Sequence, residues 1–129
     1  PCIPTRPLLQ SRTDPARRDG ALLPEWLMEW FEATYAGDRS VEDLSRQKYA
    51  NPLAAAPELH GLPPLTGVVG GSEVLRDEGI AYFEAVTEAG VDVDWREYEG
   101  GFHAFVLFPF GQAPEAWRYI RQRLQACPA

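Results

Sequence analysis

The chain has 129 residues, of which 45% are hydrophobic, 12% aromatic and 24% charged. This composition provides enough apolar material for one hydrophobic core and is not biased enough for a disordered chain. The formal net charge of -7 comes from 19 acidic and 12 basic residues. An acidic chain does not neutralise phosphates, so we expect no nucleic-acid partner and no basic helix lying on a membrane.

The sequence lacks an apolar leader core and any run of about eighteen apolar residues. We therefore expect no membrane span and a cytoplasmic location. Cys2 and Cys127 lie near opposite ends and form no CxxC pair, which disfavours zinc ribbons and thioredoxin-like redox sites. We expect two free thiols, with a disulfide that joins the termini or reaches another chain as the alternative.

Residues 1–60 and residues 61–129 differ in sequence texture. The first part predicts an irregular segment with helices. Residues 1–21 hold four of the twelve prolines and several charges, which indicates a surface loop. The second part predicts a regular unit in which strands and helices alternate.

Two helices are predicted in the first part. One begins at Pro24, because proline suits a first helical turn, and ends at Gly37. The other covers residues 41–48 and is broken at Asn51-Pro52. The first helix has an apolar face, which we expect to pack in a core or to border a cavity. Its residues are Leu23, Trp26, Leu27, Trp30, Phe31 and Thr34.

The second part predicts a strand, a helix, a strand and a helix at residues 65–69, 76–89, 91–96 and 114–125. The first strand is mostly apolar, as in a strand covered on both faces, and the second alternates as a half-exposed edge strand does. A helix between two strands of one sheet implies a parallel pair. The helical residues expected to face the core are Ile80, Phe83, Val86, Thr87, Trp117, Ile120 and Leu124.

Candidate catalytic residues follow the two predicted strands. In parallel sheets, reactive groups gather in the loops beyond the carboxyl ends of the strands. The loop after the first strand carries Glu73, and the loop after the second carries His103 between Phe102 and Phe105. Neighbouring parallel strands bring these loops together, where a carboxylate can orient an imidazole as a general base. The pattern is typical of two members of an acid–histidine–nucleophile triad.

Each of these residues also has a purely structural interpretation. A loop histidine flanked by phenylalanines is often a partly buried packing residue, and loop glutamates such as Glu73 are often simply exposed. Asp77 and Glu78 stand at a predicted helix start, where carboxylates stabilise the positive end of the helix dipole. The residue pattern alone leaves both interpretations open.

A serine nucleophile in the usual arrangement is missing from this sequence. Serine hydrolases with a parallel α/β sheet present it in a GxSxG turn, where glycine tolerates the strained backbone. Ser72 lies in Gly70-Gly71-Ser72-Glu73-Val74, which matches the first three letters, but Val74 occupies the place of the last glycine. No HGGG-type oxyanion segment occurs. Two hypotheses stay open: a nucleophile outside this chain, and a self-contained enzyme that uses Ser72.

Several short motifs occur in a fixed order between residues 50 and 110. They are Asn51-Pro52-Leu53, Gly61-Leu62-Pro63-Pro64, Gly70-Gly71-Ser72-Glu73-Val74-Leu75-Arg76-Asp77-Glu78-Gly79, Ala89-Gly90-Val91 and His103-Ala104-Phe105. With these motifs the chain resembles the C-terminal part of the hormone-sensitive-lipase-like esterases, a branch of the α/β-hydrolase fold. The resemblance implies an α/β fold class with a mostly parallel sheet, flanked by helices and incomplete without upstream strands. Residues 1–60 would lie between core strands, and residues 61–129 would form the C-terminal βαβα unit of the same domain.

The resemblance also implies a carboxylic-ester hydrolase that works through an acyl-enzyme, with a Ser-acid-His triad, no metal and no cofactor. His103 falls on the family's catalytic histidine and Glu73 on its acid, where Asp is commoner. Asp77 is then a helix-start or loop-supporting carboxylate. Phe102 and Phe105 are expected to exclude water and to contact the substrate, with packing of the loop as the alternative. The nucleophile and the oxyanion hole would lie upstream.

The expected partners are a small-molecule ester and the upstream part of the same enzyme, as a missing segment or as a separate chain. Two strands are too few to bury their faces, so the Leu65 side of the sheet is expected to be completed by other strands. The edge from Val91 to Tyr98 is a candidate for pairing between two copies. The alternative function is that of a non-catalytic or degenerate α/β-hydrolase module that binds a partner.

Overall fold

The computed structural model describes residues 14–55 and 58–126. Cys2 and Cys127 lie outside the described residues. Within these two ranges, no helix is both long and apolar enough to cross a lipid bilayer. The elements in chain order are helices α1 (Pro15–Arg18), α2 (Glu25–Ala36), α3 (Val41–Ser45) and α4 (Pro52–Ala55), strand β1 (Leu65–Gly70), helix α5 (Arg76–Glu88), strand β2 (Val93–Tyr98), a 3-10 turn (Phe105–Leu107) and helix α6 (Ala113–Ala126).

The two strands form a parallel pair, which confirms the predicted strand–helix–strand unit. Leu65 lies opposite Val93 at one end of the ladder, and Gly70 lies opposite Tyr98 at the other. Both strands therefore finish side by side, and the loops that leave them begin at the same edge of the sheet.

The start of β2 is set by the turn that leaves α5. Gly90 has a φ of 88°, a conformation that favours glycine, and the Val91 amide donates to the Val86 carbonyl at 3.3 Å. Residues 91 and 92 therefore connect the turn to β2, and the strand predicted from residue 91 begins two residues later. The alternation of apolar and charged residues continues through this connection, so the pattern alone does not locate the boundary.

Helix α5 packs against the sheet through an aromatic pair. The rings of Phe83 and Trp95 stack with their centroids 5.6 Å apart. Gly67 makes the room, because a Cβ there would lie 2.0 Å from the Phe83 ring. Val86 is fully buried, whereas Thr87, predicted to face inward, is exposed and donates its hydroxyl to the Phe83 carbonyl at 2.8 Å. These contacts fix α5 against the sheet and orient the turn that precedes it.

The predicted inner stripe of α6 is wrong by one residue. The buried residues are Ala113, Ala116 and Tyr119, whereas Trp117 and Leu124, predicted to pack on the sheet, are exposed. Small side chains at the contact let α6 approach the aromatic residues at the end of β2, and a tryptophan there would hold the helix away. The spacing identifies an amphipathic helix but does not decide between two overlapping stripes.

Helix α2 has the predicted bounds without the predicted burial. It follows Pro24 and ends at Gly37, whose φ is 58°. Trp26 and Trp30, on the apolar face, are 65% and 57% exposed, and Phe31 is exposed as well. The aromatic part of this face therefore does not belong to a core built by the described residues, whereas Leu23, which precedes the helix, is buried.

Two short helices differ from the prediction. α1 occupies part of the predicted loop, because the Arg17 amide donates to the Asp14 carbonyl at 3.0 Å and the two side chains form an ion pair at 2.5 Å. α3 ends at Ser45 rather than at Lys48, because the buried Asn51 side chain donates to the Ser45 carbonyl at 2.7 Å and caps the last turn.

Candidate active site

The two predicted site loops lie side by side where the strands end. The Gly71 amide donates to the Tyr98 carbonyl at 2.8 Å, and the Ser72 amide donates to the Gly101 carbonyl at 2.9 Å. Glycine is needed at the closest approach, because a Cβ on Gly70 would lie 2.5 Å from the Gly101 carbonyl oxygen. Backbone contacts therefore join the turn that carries the predicted acid to the loop that carries the predicted base.

Glu73 and His103 form a hydrogen bond across these loops. Nδ1 of His103 lies 2.8 Å from Oε2 of Glu73, within the distance expected of an acid–base pair. The Glu73 side chain is 15% exposed and the His103 side chain 36%, so the acid is the more sheltered partner. A carboxylate only accepts, so the ring donates from Nδ1, and in the neutral ring this leaves the lone pair on Nε2. This imidazole can take a proton at Nε2 while a carboxylate stabilises the resulting charge.

Ala104 turns the chain sharply after the histidine. Its φ of 56° lies in the left-handed region, which residues other than glycine seldom adopt. The 3-10 turn follows directly, and its first residue, Phe105, is buried. The half-exposed His103 and the buried Phe105 thus have different surroundings although they are only two residues apart.

Phe102 and Phe105 have different surroundings. Phe105 belongs to the core cluster, with its ring centroid 5.5 Å from that of Tyr98. Phe102 is half-buried and packs its ring at 5.2 Å against Phe108. Neither is among the residues that line the cavity beside the pair. In the structure both side chains pack against other aromatic rings. Contact of either with a substrate stays a prediction.

A cavity of about 580 Å³ opens beside Glu73 and His103. Val68 and Val69 both line it, although neighbouring residues of a strand point to opposite faces of the sheet. The cavity therefore runs along the edge of β1 that has no neighbouring strand among the described residues. The remaining lining residues are Asn51, Pro52, Leu53, Leu75, Asp77, Glu78, Gly79, Ala81, Tyr82 and Phe83.

An arginine ties the start of α5 to β2. Nε and Nη2 of Arg76 donate to the two carboxylate oxygens of Glu97 at 2.6 and 2.7 Å, and Nη1 donates to Asp77 at 2.6 Å. The hydrogen bonds from Arg76 hold the pKa of Glu97 below its usual value, and those to Glu97 and Asp77 raise the pKa of Arg76. Asp77 thus stands at the helix start, where the sequence places it, and supports the turn through Arg76.

The Ser72 hydroxyl is hydrogen-bonded to the backbone of the histidine loop. It donates to the Glu99 carbonyl at 2.9 Å, not to the His103 ring.

Within residues 14–55 and 58–126, no group of three or more His, Cys, Asp or Glu side chains is arranged to hold a metal ion.

Asn51 is part of the cavity wall, whereas the sequence identifies it only as a helix break and as part of an ordered motif. Its side chain is buried, and besides the bond to Ser45 its Oδ1 accepts from the Leu53 amide at 3.2 Å. The Asn-Pro pair is visible in the sequence, but its place beside Glu73 and His103 depends on how α4 meets α5.

The Arg76–Glu97 ion pair is expected to make the free energy of unfolding depend on pH in the acid range. A carboxylate whose pKa is lowered by folding contributes stability above its unfolded pKa, and this contribution disappears as the pH falls through the folded value. We expect wild type to exceed Glu97→Gln in stability by up to about 1 kcal/mol at pH 7, the range of exposed ion pairs. The difference should vanish at low pH. Thermal unfolding of both proteins between pH 7 and pH 2 measures it, and a pH-independent difference would contradict this account.

Phe105→Ala separates packing from substrate contact. Removal of a buried aromatic ring leaves a cavity, so we expect the free energy of unfolding to fall by about 3–5 kcal/mol. Phe102→Ala should cost clearly less, because Phe102 is only half-buried. Denaturant unfolding of the two variants is the measurement. Unchanged stability in Phe105→Ala would show that its ring does not support the core.

Comparison with known proteins identifies a family and several relatives of this chain. A family model described as the alpha/beta hydrolase fold matches residues 2–107. The carboxylic ester hydrolase LipN of Mycobacterium tuberculosis is 36% identical over 94 residues, 72% of this chain and 24% of that protein. The 2-hydroxyisoflavanone dehydratase of Glycyrrhiza echinata is 46% identical over 63 residues, 45% of this chain and 19% of that protein. A thermostable esterase from Pseudomonas putida ECU1011, a solved structure, is 36% identical with a TM-score of 0.66, over 82% of this chain and 33% of its own.

The chain belongs to the α/β-hydrolase fold family. Within this family it is a hormone-sensitive-lipase-like chain and corresponds to the C-terminal part of the esterases in that branch. The resemblance inferred from the ordered motifs and the α/β fold class are therefore confirmed. The chain spans about a quarter of the length of LipN and about a third of the Pseudomonas esterase.

Proposed function

We propose that this chain supplies the acid and the general base of a serine carboxylesterase, with Glu73 as the acid and His103 as the base. The observation that carries the proposal is the 2.8 Å hydrogen bond between Nδ1 and Oε2, made by loops at the carboxyl ends of two parallel strands. The substrate would be a small-molecule ester. The serine nucleophile and the oxyanion hole would come from an upstream segment or from a partner chain.

In this mechanism the proton moves through Nε2 of His103. The serine oxygen attacks the ester carbonyl carbon while Nε2 takes the serine proton, and the imidazolium then gives that proton to the departing alcohol. Water repeats the sequence on the acyl-enzyme and releases the acid. Glu73 remains ionised, holds the ring in the Nδ1–H tautomer and stabilises the imidazolium. The chemistry requires no metal or organic cofactor.

The open edge of β1 supports an upstream partner. The 580 Å³ cavity along that edge has a mostly apolar wall, and an unpaired strand edge with apolar surroundings suits another strand. Residues 1–60 would then connect core strands, with residues 61–129 closing the same domain. The exposed face of α2 is apolar surface that the remaining part of such a domain would cover.

The outer edge of β2 suits a second copy. Asp92, Arg96 and Glu97 are exposed along the segment from Val91 to Tyr98. Charged side chains at a sheet edge discourage pairing with arbitrary strands, so a strand with a matching charge pattern is the partner we expect here. We propose a homodimer through this edge. Light scattering of the purified protein should give twice the protomer mass, and a charge reversal at Arg96 should weaken the dimer.

The proposal is tested by labelling the protein in its natural assembly. The chain carries a tag, is purified from its source and is treated with a biotinylated fluorophosphonate, and the labelled peptide is identified by mass spectrometry. We expect the label on a GxSxG serine outside residues 1–129. Label on Ser72 would instead establish the self-contained enzyme. A folded assembly without any label would favour the non-catalytic module.

The dehydratase relative favours one further candidate. A dehydratase also needs a base, and His103 with Glu73 has the geometry to take the proton next to a carbonyl group. The C–H electron pair forms the new double bond, and the imidazolium returns the proton to the hydroxyl that departs from the neighbouring carbon, so that water is released. This function predicts release of water from a hydroxyketone that depends on His103 and persists after fluorophosphonate treatment. An ester hydrolase loses its activity on the same treatment, so the two assays separate the candidates.

A further inference from the structure

The turn that carries Glu73 is fastened at several points to the segment that leads to His103. Its Gly71 amide bonds to Tyr98 and its Ser72 amide to Gly101. These contacts come from the backbone and are insensitive to the side chains present. Two further contacts come from side chains, and both therefore depend on the residue type.

The first of these is the Ser72 hydroxyl, which donates to the Glu99 carbonyl at 2.9 Å. The second is the Arg76 guanidinium, which holds both carboxylate oxygens of Glu97. Ser72 precedes Glu73 by one residue and Arg76 follows it by three. Side chains on both sides of Glu73 in the sequence thus form hydrogen bonds to residues 97–99.

We infer that Ser72 and Arg76 are positioning residues that hold the Glu73 carboxylate against Nδ1 of His103. The inference rests on the proposed function, because the position of this carboxylate matters for the reaction only if the pair is catalytic. It assigns Ser72 a role other than that of a nucleophile, and it assigns Arg76 a role beyond an ion pair at a helix start.

A glutamate in the role of the acid needs more restraint than an aspartate would. Glu has one more rotatable bond than Asp, so its carboxylate loses more conformational freedom when it is fixed on the ring. A bidentate arginine pair is rigid and directional, and a lysine cannot reproduce it. Glu97 also lies over the turn, because a Cβ on Gly71 would be 3.0 Å from its Oε1. Anchors on both sides of the acid restrict the backbone from which its side chain extends.

The test uses the purified assembly labelled with 15N-histidine. In wild type we expect a downfield Nδ1–H proton resonance, assigned by its loss in His103→Ala, with the exposed His60 as a reference. Ser72→Ala and Arg76→Ala should broaden or remove this resonance and lower kcat by about 10- to 100-fold with little change in KM, as misplacement of a catalytic group by about 1 Å does. Ser72→Thr, which keeps a hydroxyl, should restore the resonance.

Matched variants separate positioning from stability. Arg121→Ala removes an exposed arginine on α6 and should leave both resonance and rate unchanged. Arg76→Lys keeps the charge without the bidentate geometry and should give an intermediate resonance, which serves if Arg76→Ala does not fold. A wild-type resonance that persists unchanged in folded Ser72→Ala, Arg76→Ala and Arg76→Lys overturns the inference. A wild type without the resonance overturns the acid–base pair itself and thus the proposed function.

Discussion

Replacement of His103 by alanine in the assembled enzyme is expected to lower kcat for ester hydrolysis by about 10⁴- to 10⁶-fold. In the proposed mechanism, His103 both removes the serine proton and returns a proton to the leaving alcohol. KM should change much less than kcat, because the imidazole contributes mainly to the transition state. Initial rates with p-nitrophenyl acetate, measured at equal protein concentration, give the ratio.

The matched control for this prediction is His60→Ala. His60 is the second histidine of the chain, is exposed and does not line the cavity. We expect its removal to leave the rate within a factor of two, as about 0.4 kcal/mol corresponds to such a ratio. A folded His103→Ala enzyme with activity within tenfold of wild type would show that another group is the base.

Glu73→Gln is expected to lower kcat by about 10³- to 10⁴-fold. The amide has almost the same shape as the carboxylate, but it carries no charge to stabilise the imidazolium. Glu73→Asp keeps the charge and withdraws it by one methylene, so we expect a smaller loss of about 10²-fold. The same rate assay measures both variants, and circular dichroism confirms that they are folded.

Glu99→Gln is the matched control for the acid. Glu99 lies on the histidine loop and is exposed, and only its backbone carbonyl contacts Ser72. Its substitution removes a carboxylate near the site without touching the pair, so the rate should stay close to that of wild type. If Glu73→Gln loses no more activity than Glu99→Gln, Glu73 is not the acid.

The juxtaposition of Glu73 and His103 could be predicted because it depends on topology. Each residue follows a strand, and adjacent parallel strands end at the same edge of the sheet. The bidentate hydrogen bond from Arg76 to Glu97 could not be predicted in the same way, because it depends on the distance between the first turn of α5 and β2. Side chains that act across elements become visible only when the elements are packed.

Burial was harder to predict than the position of the elements. The bounds of α2 follow from Pro24 and Gly37, which are local signals. Whether Trp26 is covered depends on surfaces that local signals do not describe, and among the described residues it stays exposed. In α6 the small Ala116 faces the core in place of Trp117, because close approach of the helix outweighs the burial of a large ring.

The most direct test of the central claim is a crystal structure of the assembled enzyme with a phosphonate bound to its nucleophile. We expect Nε2 of His103 within about 2.6–3.2 Å of the serine oxygen or the leaving-group position, with Glu73 on Nδ1. The serine should lie outside residues 1–129. A phosphonate on a serine that pairs with a different base, with His103 turned away from it, would contradict the claim.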